Sequence, residues 1–89
     1  MAELLFFPVA DKQLAALQAD PGRRQLYDRI NDLLDVLEAD SGDASVRRLR
    51  YQAPPIWGIP VYGSGEEWII LWSESEGGTF VHYIGETPK

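Results

Sequence analysis

The sequence predicts an α+β domain: a first strand, two helices forming a hairpin, then three or four antiparallel strands on which that hairpin packs. Three observations carry this. An apolar stripe of helical period runs through residues 21–39. After it, the chain breaks into short runs rich in β-branched and aromatic residues, separated by Gly and Pro. One of these runs, Trp68-Ile69-Ile70-Leu71-Trp72, has no polar residue on either face and reads as a central strand covered on both sides.

Each element has a local reason. Glu3 to Val9 (ELLFFPV) is a short apolar run closed by Pro8, which reads as a strand. Asp11 is positioned to cap a first helix with Leu14 and Leu17 on its inner side. Asp20-Pro21 is a sharper start signal. Asp suits the N-cap, and Pro suits the first helical position, where its missing N–H would have no partner.

The second helix is expected from Pro21 to Glu38 or Ala39. Leu26, Ile30, Leu33, Leu34 and Leu37 form its buried stripe, and Asp28, Asn31, Asp32, Asp35 and Glu38 its polar side. Arg24 joins the polar side within reach of Asp28 at i+4. Arg23 falls on the apolar side in the first turn, where positive charge opposes the helix dipole, so another contact is expected to hold it. Asp40-Ser41-Gly42-Asp43 ends the helix in a loop.

In the second half, Val46 to Gln52 (VRRLRYQ) alternates as a strand and Ala53-Pro54-Pro55 breaks it. Ile56 to Tyr62 is extended, with Gly58 and Pro60 pointing to an edge or a bulge. Gly63-Ser64-Gly65 and Glu74 to Gly78 are turns, and Thr79 to Ile84 (TFVHYI) closes the sheet.

Eighty-nine residues without a linker or repeat make one domain, residues 1–89. With no cysteine and one histidine, disulfides, thiolate ligands and His-rich zinc sites are excluded, and no cofactor motif is present. Gly63-Ser64-Gly65 precedes a strand, whereas a phosphate-cradling glycine loop must precede a helix. No apolar run reaches the ~20 residues of a membrane span, and the start lacks a basic signal-peptide region, so a cytoplasmic protein is expected.

The formal net charge of −6 opposes general affinity for nucleic acid. Its distribution is uneven: all six arginines lie between Arg23 and Arg50, in two groups of three. Arg47, Arg48 and Arg50 are the best phosphate-binding candidates, with Arg48 and Arg50 on one face of the strand. His82 is the one side chain whose ordinary pKa lies near neutrality, which makes it a candidate general acid or base. Its plain alternative is a strand residue sharing a face with Phe80 and Ile84. Alternation sends His82 and Tyr83 to opposite faces unless the strand bulges. For the acidic pairs Glu66-Glu67 and Glu74-Glu76, solvated turns are the default.

The element order, the Arg-rich second strand Val46-Arg47-Arg48-Leu49-Arg50, the penultimate Trp68-Ile69-Ile70-Leu71-Trp72 and the final Tyr83-Ile84-Gly85 together resemble the RelE/ParE superfamily, the toxins of bacterial toxin–antitoxin modules. The resemblance covers most of the chain. It implies a partner antitoxin and either a metal-independent endoribonuclease cutting messenger RNA on the ribosome or an inhibitor of DNA gyrase. In the nuclease reading, Arg47, Arg48 and Arg50 bind phosphate and stabilise developing charge, and His82 or Tyr83 donates the proton. Two positions depart from the family pattern: Ile69 stands where an arginine is usual, and Glu86-Thr87 where basic residues follow Ile-Gly. The alternative is a non-catalytic protein-interaction module on the same scaffold.

Overall fold

The structure is a computed structural model, and it describes residues 4–40, 49–50, 56–75 and 78–87. The elements run β1 (Leu4–Phe6), α1 (Pro8–Gln18), a 3-10 turn (Pro21–Arg23), α2 (Arg24–Ala39), β2 (Leu49–Arg50), β3 (Trp57–Gly63), β4 (Glu66–Ser75) and β5 (Gly78–Glu86). The α+β class and the element order are as the sequence predicts. No helix among the described residues is long and apolar enough to cross a membrane.

Two starts differ from expectation, the first because of proline. Pro8 opens α1 instead of merely ending β1, and Asp11 sits inside the first turn instead of capping it. The residue before a proline is pushed to extended geometry, so Phe7 (φ −67°, ψ 151°) follows the strand as the N-cap and Pro8 begins the helix directly. Asp20 does cap at the second start, accepting from the Gly22 N–H at 3.0 Å, but the segment it caps is one 3-10 turn that leads into α2.

The five strands lie in the order β1-β5-β4-β3-β2. Four pair antiparallel. β1 joins β5 in parallel, so the sheet is mixed where a wholly antiparallel one was expected. The β4 segment is the middle strand and longer than the apolar run alone, continuing through Glu74 to Ser75. The β3–β4 hairpin turns on Ser64 and Gly65, both at positive φ (52° and 76°), the geometry whose twist matches the flanking strands.

Both helices cover one face of the sheet. Ala10 and Leu17 of α1 and Leu26, Ile30, Leu34 and Leu37 of α2 bury against Ile59, Val61, Ile70, Trp72, Val81 and Ile84. Trp72 stacks on Trp57 across the sheet at 6.4 Å between ring centroids. Helix and sheet approach closely at Gly63, where a Cβ would stand 3.2 Å from the Leu26 backbone. The far face carries Pro60, Tyr62, Ile69, Leu71, Ser73 and Phe80. Ile69 is only 2% exposed there, so the middle strand is buried on both sides at that point.

Candidate functional site

The register places His82 at an irregularity. Trp72 pairs with Val81 and Leu71 pairs with Tyr83, so His82 is an extra residue in β5 with no partner of its own. This is a β-bulge. Burial agrees: Val81 and Ile84 both face the helices, and a spacing of three between inward residues requires one insertion in a period-two strand. Tyr83 pairs with the outward Leu71, so His82 and Tyr83 both stand on the face away from the helices. The bulge removes the separation that strict alternation predicts.

The surroundings of His82 are specific. Its Nε2 lies 2.6 Å from Ser73 Oγ, and its ring meets that of Phe7 edge-on at 4.2 Å between centroids. Phe7 also contacts Phe80, at 6.0 Å. Partial burial holds the His82 pKa below its ordinary value, so the ring is neutral at pH 7. Tyr83 is committed elsewhere: its hydroxyl donates to the Glu86 carbonyl at 3.0 Å. The two side chains share a face but have different partners.

Of the three candidate phosphate-binding arginines, Arg50 is described, and its backbone is distant. Arg50 pairs with Trp57, which pairs with Trp72 and so with Val81. Arg50 and the bulge are therefore three strands apart, about 14 Å between backbones. Arg47 and Arg48 lie outside the described residues.

Arg23, the helix-start arginine that the sequence left without a partner, is held at the other end of the sheet. Its Nε donates to Glu66 Oε1 at 2.6 Å, its Nη2 to Glu66 Oε2 at 3.1 Å, and its Nη1 to Asp20 Oδ2 at 2.8 Å. Its guanidinium lies 5.8 Å from the centre of the Trp68 ring. The hydrogen bond from Arg23 holds the Glu66 carboxyl below the usual carboxylate range, and the same contact raises Arg23. Glu66 is thus a clamp between the 3-10 turn and β4, not a solvated turn residue. Arg24 and Asp28 form the expected i,i+4 pair, at 3.5 Å.

A groove of about 480 Å³ opens beside this clamp, lined by Gln13, Ala16 and Leu17 of α1, Arg23, Trp68 and residues 83–86 of β5. Here β5 runs past the end of β1. The Gln13 side chain takes the place of a neighbouring strand, accepting from the Ile84 N–H at 2.8 Å. Glu66, Glu67 and Glu86 gather at this end, since Glu66 and Glu67 begin β4 and Glu86 pairs with Trp68. A phosphate would meet carboxylates there.

Ser73 and Gln13 are the polar side chains sequence reasoning did not single out. Ser73 stands diagonally opposite His82, a position fixed by the β4–β5 register. No local pattern marks it. Comparison of the chain with protein-family models, curated proteins and solved structures finds no match.

Proposed function

We propose that the chain is a non-catalytic protein-interaction module on a RelE/ParE-like scaffold, with an antitoxin-type protein as its partner. The observation that carries this reading is the engagement of His82. Its Nε2 is bonded to Ser73, its ring is packed on Phe7, and the nearest strand arginine in the described residues, Arg50, lies three strands away. A metal-independent cleavage of RNA needs an acid or base and a cation at one phosphate. Here a neutral, occupied histidine is packed on the Phe7 ring, and the β4–β5 end that the family pattern makes basic carries Glu66, Glu67 and Glu86.

One observation favours the second reading, a messenger-RNA endoribonuclease: the bulge places His82 and Tyr83 on one face. Strong induction of the intact chain with mapping of transcript ends separates the two. The module reading expects unchanged growth and unchanged transcripts. Transcript cleavage and growth arrest, both relieved by His82→Ala or Arg50→Ala, would establish the nuclease and overturn the module.

A further inference from the structure

A second pocket, of about 360 Å³, opens between α2 and β3. Strand pairing creates it. Among the described residues, β2 pairs with Trp57 and Gly58 of β3, and Ile59 to Gly63 have β4 on one side and no strand on the other. Helix α2 overhangs that open side. The Gln25 side chain accepts from the Ser64 N–H at 3.1 Å, just beyond β3. Arg29 and Asp32, four and seven residues further on, continue along the same flank. Both line the pocket, together with Leu33, Ile59 and Val61.

Two properties decide what the pocket can hold. Its floor is apolar: Ile59 and Val61 are buried and Leu33 is half-buried. Its mouth carries both signs of charge. Arg29 and Asp32 are exposed, and among the described residues their side chains bond neither to each other nor to any other group. The two other Arg–Asp neighbours on this stretch do close, Arg23 with Asp20 at 2.8 Å and Arg24 with Asp28 at 3.5 Å. The pocket is also a poor place for an added strand, because Pro60 in its wall has no N–H to pair.

We propose that this pocket binds a free α-amino acid with an apolar side chain. Its carboxylate meets Arg29, its ammonium meets Asp32, and its side chain lies over Leu33, Ile59 and Val61. Charge complementarity selects this occupant. A plain anion would gain Arg29 but face Asp32, on a chain of net charge −6. A plain cation would gain Asp32 but face Arg29. A zwitterion answers both charges and, being neutral overall, is not repelled by the rest of the chain. Reach fits as well. Helical side chains three residues apart start about 5–6 Å from each other, and an α-amino acid carries both charged groups on one carbon, so a single molecule bridges the pair. Size agrees, since 360 Å³ lies near the lower end of the range for small-molecule sites. Both charges are exposed and screened by water, so binding is weak, with a Kd on the order of 1 mM. The inference does not depend on the proposed function, which concerns a protein partner.

The probe is L-leucine, titrated at neutral pH into the isotope-labelled intact chain and followed by amide NMR shifts. Saturable shifts are expected at Ile59, Val61 and Tyr62 and along α2 near Arg29 and Leu33. Three analogues each lack one feature: leucinamide the carboxylate, N-acetyl-leucine the ammonium, and glycine the apolar body. Each is expected to bind about threefold more weakly or worse, the size of one exposed charge pair or of the lost apolar contact. Arg29→Gln should bind leucine and leucinamide alike, and Asp32→Asn should bind leucine and N-acetyl-leucine alike. Both substitutions fall at exposed positions with no side-chain bond to lose, so the fold is retained. The absence of a saturable shift up to about 50 mM, far above the expected Kd, overturns the proposal. Leucinamide or N-acetyl-leucine binding as tightly as leucine also overturns it, by making the pocket a site for a simple ion. So does glycine binding as tightly, or either variant keeping the parent's full discrimination.

Discussion

Deleting His82 outright is the most discriminating test of the fold as described. Removal of one residue from a strand normally sends everything on one side of it to the wrong face. Here the register makes His82 the surplus residue. Without it, Thr79, Val81 and Ile84 still face the helices, Phe80 and Tyr83 still face outward, and the pairs Trp72–Val81 and Leu71–Tyr83 survive. The losses are the Ser73 bond, ~0.5–1.5 kcal/mol, and the ring contact with half-exposed Phe7, ~0.5–1.5 kcal/mol. Together these give about 1–3 kcal/mol. A chain of 89 residues has a stability of roughly 4–13 kcal/mol, so the deletion variant should fold. At ~4–8 °C per kcal/mol, its Tm should fall by roughly 5–20 °C. Deleting Leu71 is the control. It forces Trp72 or Ile70, both fully buried, off the core face, at ~3–5 kcal/mol for the tryptophan alone and more as its neighbours follow. The assay is thermal and urea unfolding of both variants, with Hα–Hα contacts between paired strands read by NMR. Loss of cooperative folding on deleting His82, or loss of the Leu71–Tyr83 contact in the folded variant, would refute the bulge assignment.

The remaining predictions concern titration and close packing. Because His82 has a lowered pKa in the fold, the unfolded chain takes up its proton first as pH falls through about 6.5. Stability is then full above that pH and declines below it. His82→Gln, which can keep the Ser73 bond without titrating, should flatten the dependence of the urea midpoint between pH 7 and 5. Glu66 also titrates below its ordinary 4.5, so its contribution is present above that pH and is lost as pH falls below it. Glu66→Gln should destabilise the chain at pH 7 and abolish the part of the acid transition that high salt also weakens. Gly63→Ala should cost about 1–3 kcal/mol, because the new methyl meets helix backbone at 3.2 Å, which cannot rotate away. A chemical-denaturation midpoint unchanged from the parent would show that α2 can lift from the sheet freely.

The sequence revealed most where one rule acted alone. The helical stripe from Leu26 to Leu37 needed only its period, and four of its five residues are buried. Asp20 before Pro21 needed only cap chemistry. The odd position of Arg23 announced that a partner existed. It could not say that the partner was Glu66, 43 residues away, because that pairing depends on how α2 seats on the sheet. The parallel docking of β1 and the extra residue at His82 were hidden for the same reason. Both are properties of strand pairing between segments more than 70 and about 10 residues apart, and the local pattern TFVHYI alternates plausibly without a bulge. Ser73 acquires meaning only once that register is known.

The bulge sharpens the functional question without answering it in favour of catalysis. Bringing His82 and Tyr83 to one face satisfies the first geometric demand of an acid–base pair. The second demand is that both be available to a substrate. Ser73 bonds the histidine at 2.6 Å, and Phe7 closes on its ring from the β1–α1 junction, while Tyr83 spends its proton on the Glu86 carbonyl. The third is positive charge beside them. His82 meets Ser73 and Phe7, Phe7 in turn meets Phe80, and the far end of the same strand carries Glu86. A bulge also has a structural use. It breaks regular pairing at Val81, where the three residues of β1 end and the chain must leave the sheet through Phe7 to begin α1 at Pro8. His82 fills the space that the break opens and ties it to β4 through Ser73. Read this way, the one histidine of the chain is a joint between β1, β4 and β5, and its pH dependence should appear in stability before it appears in any reaction.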